Sequence, residues 1–275
     1  MFNKPAFKSQ TLNGMFFTSL LTFAAFSASA STEGSAAAEA KGLAISQEAK
    51  ARDTGWGDST ADMLMILRNK QGQESIREIS TKTLELLDDG DKSLTIFNKP
   101  RDVKGTSFLS FSHPVGNDDQ WLYLPSLKRV KRIASRNKSG PFMGSEFSFE
   151  DLSSFEIEKY RYNYVGDEQL NGLDNFVVEQ FPVDENSGYT RRVVWIDQSE
   201  YRLQKVDFYD RKNTLLKTLS YQGYQQYLGK YWRADSAEMT NHQSGKSTTL
   251  KWQNYAFKTG LTDSDFNRNS LKRAR

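Results

Sequence analysis

The chain has 275 residues, two histidines, no cysteine and a formal net charge of +3, from 37 Lys+Arg against 34 Asp+Glu. Disulfides, thiol nucleophiles, thiolate metal sites and a lipid-modified N-terminal cysteine are thereby excluded, and so balanced a charge favours no partner in bulk. Aromatic residues make up 13%, with five Trp, so a core and a binding surface must both come from packed side chains.

Lys4 and Lys8 precede an apolar run, Met15–Phe26, and the small residues Ala28-Ser29-Ala30. These are the charged, apolar and cleavage regions of a secretory signal, and the run is shorter than the roughly 20 residues a membrane helix needs. Residues 1–30 are thus expected to be a signal peptide cleaved after Ala30, with export to the periplasm. Its removal leaves 35 Lys+Arg against 34 Asp+Glu, a net charge of +1. Residues 31–41 read as a flexible leader and residues 42–275 as one domain. Leu43–Arg52 predicts a short helix with Leu43, Ile45 and Ala49 roughly on one side. It ends at Asp53–Gly57, where two glycines make continuation costly.

From Ala61 the pattern changes to strands and turns. Met63–Leu67, Ser75–Leu87, Leu94–Phe97, Thr106–Ser112 and Trp121–Leu124 are separated by turns such as Asn69–Gly72, Asp88–Asp91 and Gly116–Asp119. Tyr160, Tyr162 and Tyr164 alternate with polar residues. Further runs follow at Asn175–Phe181, Thr190–Asp197, Arg202–Tyr209, Leu215–Tyr221, Tyr231–His242 and Thr248–Phe257. The total is ten to twelve strands at meander spacing. Met63–Leu67 and Trp121–Leu124 are apolar on both faces, so either a helix covers the second face or the sheet curls around a cavity. The fold class expected is mainly β: a single curved antiparallel sheet forming an incomplete β-barrel, with a few short helices covering the opening. A transmembrane barrel fits poorly, because Lys and Arg interrupt almost every strand.

No catalytic constellation emerges. His113 and His242 stand alone, the acidic turn Asn117–Asp119 lacks calcium-loop spacing, and there is no Walker loop, G-x-G-x-x-G or G-x-S-x-G. No enzyme, metal or cofactor is expected. Two features between Trp121 and Leu152 are more informative. Lys128, Arg129, Lys131, Arg132 and Arg136, followed by Lys138, form a cluster with no acid between Gln120 and Ser145. Such a cluster reads either as charge guarding a strand edge or as a patch for anionic headgroups or a partner protein. Gly140–Leu152 then carries Phe142, Met143, Phe147, Phe149 and Leu152 around flanking glycines, with Ser148 and Asp151 spaced as a capping box. These apolar groups either plug the core or move for a ligand. With Trp121, Tyr123 and Leu124 they are the expected ligand-binding residues, and the basic residues are the expected headgroup or partner contacts.

The chain resembles the outer-membrane lipoprotein-sorting protein family, the LolA/LolB-like group associated with RND-type exporters. The resemblance is carried by Arg52–Trp56 with Met63 and Met65, by Asp119–Pro125, by Lys128–Val130 with Arg132-Ile133, and by Phe142–Ser145 through Glu150–Leu152. Weaker matches run through Trp195, Tyr201–Leu203 and Phe208–Asp210. The resemblance implies a monomeric periplasmic carrier. It would bind a lipid or acylated protein in an apolar cavity and pass it between an RND/MMPL-type inner-membrane exporter and the outer membrane. The alternative is a non-carrier adaptor docking on an exporter through its basic patch. Export argues against nucleic acid as a partner.

Overall fold

The computed structural model describes residues 26–273. The apolar run up to Ala25 and most of the expected signal peptide lie outside the described residues. The chain opens with helix α1 (Phe26–Arg52) and closes with α2 (Arg268–Arg273). Between them run β1 (Asp58–Arg68), β2 (Glu74–Leu84), β3 (Lys92–Lys99), β4 (Ser107–Phe111), β5 (Asp119–Leu124), β6 (Arg129–Arg132) and β7 (Tyr160–Leu170). The remainder are β8 (Leu173–Pro182), β9 (Tyr189–Asp197), β10 (Leu203–Asp210), β11 (Leu215–Tyr227), β12 (Tyr231–Asn241) and β13 (Ser247–Phe257).

All thirteen strands join one sheet in the order β6-β5-β4-β3-β2-β1-β13-β12-β11-β10-β9-β8-β7. The sheet is antiparallel throughout, and every pair joins chain neighbours except β1–β13. Two consecutive strands, β6 and β7, are therefore the free edges. The barrel is incomplete, and residues 133–159 carry the chain from one edge to the other.

One face of almost every strand points to a shared core. Met63 and Met65 on β1, Phe97 on β3, Phe108 on β4, Val194 on β9 and Met239 on β12 meet there with Ile45 of α1. This is the alternation expected of a curved sheet with one buried face. The outer face has two smaller clusters. Leu94, Ile96, Leu109 and Trp121 are covered by Phe266 and Leu271 of the C-terminal segment, and Val177, Val193 and Trp195 form the other. The apolar double face of β5 thus has both expected causes, a helix outside and a core inside.

Helix α1 packs along the free edge at β7. Gly42 permits the approach: a Cβ there would lie 2.9 Å from the backbone nitrogen of Tyr164. Lys41 Nζ sits 3.6 Å from the centre of the Tyr164 ring, a cation–π contact. Two expectations change. Residues 31–41, read as a flexible leader, lie within α1, where the strong helix propensity of the Ala-rich stretch outweighs its small, polar composition. Arg129–Arg132, not counted among the expected strands but read as charge that either guards a strand edge or forms a patch, is the edge strand β6.

Candidate functional site

The inner face of the sheet is filled in one part and hollow in another. The filling is the loop between β6 and β7. Phe142-Met143-Gly144-Ser145 makes a tight turn, with φ of 51° at Met143 and 77° at Gly144, closed by Phe142 N–H to Phe147 C=O and Ser145 N–H to Phe142 C=O. Phe142 is 1% exposed, and its ring lies 5.2 Å from Phe108, 5.6 Å from Phe149 and 5.9 Å from Phe97. Polar ties fix the loop: an Arg77 Nη donates to the Met143 carbonyl at 2.6 Å, and Lys217 Nζ to the Glu146 carbonyl at 2.8 Å. The expected capping box is present, with Ser148 and Asp151 bonding reciprocally.

The hollow part is a cavity of about 1390 Å³. Its floor is the inner face of β9, β10 and β11, through Val194, Ile196, Val206, Phe208, Leu219 and Tyr221. Ser46, Ala49 and Lys50 of α1 form one wall, and residues 153–160 with Phe155 and Tyr160 form another. Burial pushes the Tyr221 hydroxyl up to about 12 and raises those of Tyr160 and Tyr224, as expected where water is largely excluded.

Polar groups also line the cavity. Thirteen carboxylates and seven Lys or Arg line the cavity, so its wall is net acidic. Asp88, Asp89, Glu158 and Glu185 among these acids are exposed. Lys50 Nζ bridges α1 to the 153–160 segment, reaching the Phe155 carbonyl at 2.9 Å and Glu156 at 3.1 Å. The other oxygen of Glu156 is buried without a partner. Desolvation pushes Asp91 up to about 6, with Lys50 opposing and Glu156 adding to the rise.

The structure distributes the expected site residues over three places. Phe142, Phe147, Met143, Phe149 and Leu152 belong to the core beside the cavity, together with Leu124. Trp121 and Tyr123 pack on the outer face with Phe266 and Leu271. Lys128, Arg129, Lys131 and Arg132 stand at or beside the edge strand β6, and Arg136 lies in the turn after it. None of these residues lines the cavity; of the wider basic cluster only Lys138 does, paired with Asp184 at 2.6 Å. The cavity floor went unremarked as a site because it comes from three separate strands. Its signal was the alternation Val194/Ile196, Val206/Phe208 and Leu219/Tyr221, which reads equally well as ordinary core.

A family model described as that of an uncharacterized protein matches residues 89–273. A solved domain described as an outer membrane lipoprotein-sorting protein from Vibrio parahaemolyticus is 64% identical, with a TM-score of 0.84, covering 86% of this chain and 100% of that one. A DUF1329 family protein from Desulfovibrio piger is 28% identical, with a TM-score of 0.80 over 85% of this chain and 99% of that chain. A LolA superfamily protein from Nitrosomonas europaea shares the fold at 19% identity, with a TM-score of 0.67 over 83% of this chain and 98% of the other. No curated protein matches the chain.

Proposed function

The chain belongs to the outer-membrane lipoprotein-sorting protein family, and from that premise we propose that it is a periplasmic carrier holding the acyl chains of a lipid or lipoprotein in the β9–β11 cavity. The observation that carries this reading is the cavity itself. Ordinary small-molecule sites enclose about 300–1,000 Å³, whereas this one has about 1390 Å³ over an aliphatic and aromatic floor. Each CH₂ removed from water contributes about 0.8 kcal/mol, so one long chain gains on the order of 10 kcal/mol, enough to stay bound in transit. Release then requires an acceptor that competes for the chain, which is the service a carrier performs between two membranes.

The gap between β6 and β7 gives the carrier its flexibility. A closed barrel would have to break strand pairing to admit a bulky ligand, whereas an open one parts α1 and the 153–160 segment, joined here by the Lys50 bonds and apolar packing. Native mass spectrometry and organic extraction of the purified protein test the reading. A co-purifying lipid released by extraction is expected, and repeated recovery of a protein that neither carries nor takes up lipid counts against it.

A second reading is docking on an RND/MMPL-type exporter through the basic edge. It is favoured by the exposure of Arg129, Lys131 and Arg132 on a strand without a neighbour on one side. Exposed Lys and Arg on an edge also keep it from pairing with other chains, and a binding experiment separates the two roles. Charge reversal at Arg129 and Lys131 abolishes capture of an exporter under the docking reading and leaves it unchanged under edge protection.

A further inference from the structure

Among the described residues, Arg192 lines the cavity without an ion pair. Arg192 follows the alternation of β9, so it shares the inner face with Val194 and Ile196 and lines the same cavity. It stands opposite Gln180 on β8 and Phe208 on β10. Its Nε donates to Gln180 Oε1 at 2.6 Å. Its guanidinium lies 4.1 Å from the centre of the Tyr160 ring and 5.4 Å from that of Phe155. A guanidinium has five N–H donors, and among the described residues the two terminal nitrogens have no side-chain hydrogen-bond partner and no ion pair.

The carboxylates nearby are committed elsewhere. Asp151 accepts from Lys217 Nζ at 2.6 Å, from the Ser148 N–H at 2.7 Å and from the Tyr189 hydroxyl at 2.8 Å. Glu150 accepts from the Ser187 hydroxyl and the Gly188 N–H, both at 2.9 Å. Glu179, across the β8–β9 pair, is taken by Arg191 at 3.1 Å. A half-buried cation left without an ion pair adds little to folding, while the Tyr160 and Phe155 rings hold its plane in a fixed orientation. A fixed planar fork with free donors suits an oxyanion, which it can engage through two parallel hydrogen bonds.

Resting on the carrier reading, we propose that Arg192 is the headgroup subsite of the cavity and takes a single-chain or multi-chain lipid by an oxyanion end, a carboxylate or a phosphate. The acids lining the cavity do not cancel this preference. Asp88, Asp89, Glu158 and Glu185 are exposed, so solvent screens them, and Glu156, Asp184 and Asp118 are paired with Lys50, Lys138 and Lys159, whereas Arg192 meets its ligand between aromatic rings.

The test is equilibrium dialysis of the purified, delipidated full chain with labelled laurate, dodecyl phosphate and dodecanol, each below its micelle concentration. The proposal predicts that at least one of the two anions binds the unaltered protein about tenfold more tightly than dodecanol, and which one it is separates carboxylate from phosphate ligands. Arg192→Gln should remove that preference and leave dodecanol binding unchanged, while Arg192→Lys should retain part of it. Dodecanol binding as tightly as both anions overturns the Arg192 assignment even without a variant, and so does an equal loss for all three ligands in Arg192→Gln. Failure of all three ligands to bind the unaltered protein overturns the carrier reading itself.

Discussion

Replacing Asp91 with asparagine separates charge from shape at the polar end of the cavity. Its carboxyl accepts from the Ser154 hydroxyl at 3.2 Å and weakly from the Leu86 N–H at 3.4 Å, and an amide of the same outline preserves both contacts with a rotation of the hydroxyl. What changes is the proton. Desolvation raises the carboxyl from 3.8 to about 6, so the folded chain holds this proton more tightly than the unfolded one. An acid shifted in that direction costs the fold nothing while both states are protonated, at low pH. The cost grows as pH rises from 3.8 toward 6 and is complete above it. The shift corresponds to on the order of 3 kcal/mol. Asp91→Asn should therefore gain about 1 kcal/mol at pH 4.5 and about 3 kcal/mol at pH 7 and above. Urea unfolding of both proteins at several pH values measures the difference. A gain that does not change with pH, or a loss at pH 7, would refute the assignment of Asp91 to a desolvated wall.

Three other substitutions probe how the sheet is filled and closed. Phe142→Ala should cost about 3–5 kcal/mol in chemical unfolding if the β6–β7 loop is a fixed part of the core; unchanged stability with faster lipid uptake would make the loop a gate instead. Leu271, fully buried on the outer face, should lose about 2–5 kcal/mol on change to alanine, while lipid binding at the opposite face stays within twofold by dialysis. Gly42→Ala puts a methyl group against the backbone of β7 and should cost about 1–3 kcal/mol, seen as faster amide exchange over residues 43–50 with little change in β1–β5.

Much of the architecture was legible because strand periodicity is local. Every long run with a turn on each side became a strand, and the double-faced residues of β5 rightly implied something on both sides of the sheet. β6 was legible only as the strand-edge reading of its charge, since Arg129–Arg132 has no apolar alternation; it is a strand because Val130 and its neighbours pair with Leu124–Trp121, a non-local fact. The length of α1 was missed for a related reason, its Ala-rich first half being too short of large apolar groups to show a face. The site was the least legible part. The aromatic richness of Phe142–Leu152 marks burial equally well in a core and in a pocket, and here the loop fills one part of the inner face. That leaves the hollow over β9–β11, whose valines and leucines look like any other strand interior. Arg192 was visible only as half of an Arg-Arg pair; the sheet turns its neighbour Arg191 outward to Glu179 and Arg192 inward, a distinction that strand register alone decides.

The central claim, that acyl chains occupy the cavity on β9–β11, is tested most directly by photo-crosslinking with a fatty acid carrying a diazirine near the middle of its chain, followed by peptide mapping. The account predicts saturable labelling of Val194, Ile196, Val206, Leu219 or Tyr221, competed by unlabelled lipid. Labelling confined to the basic edge at β6 or to the outer face, or labelling that lipid does not compete, would contradict it.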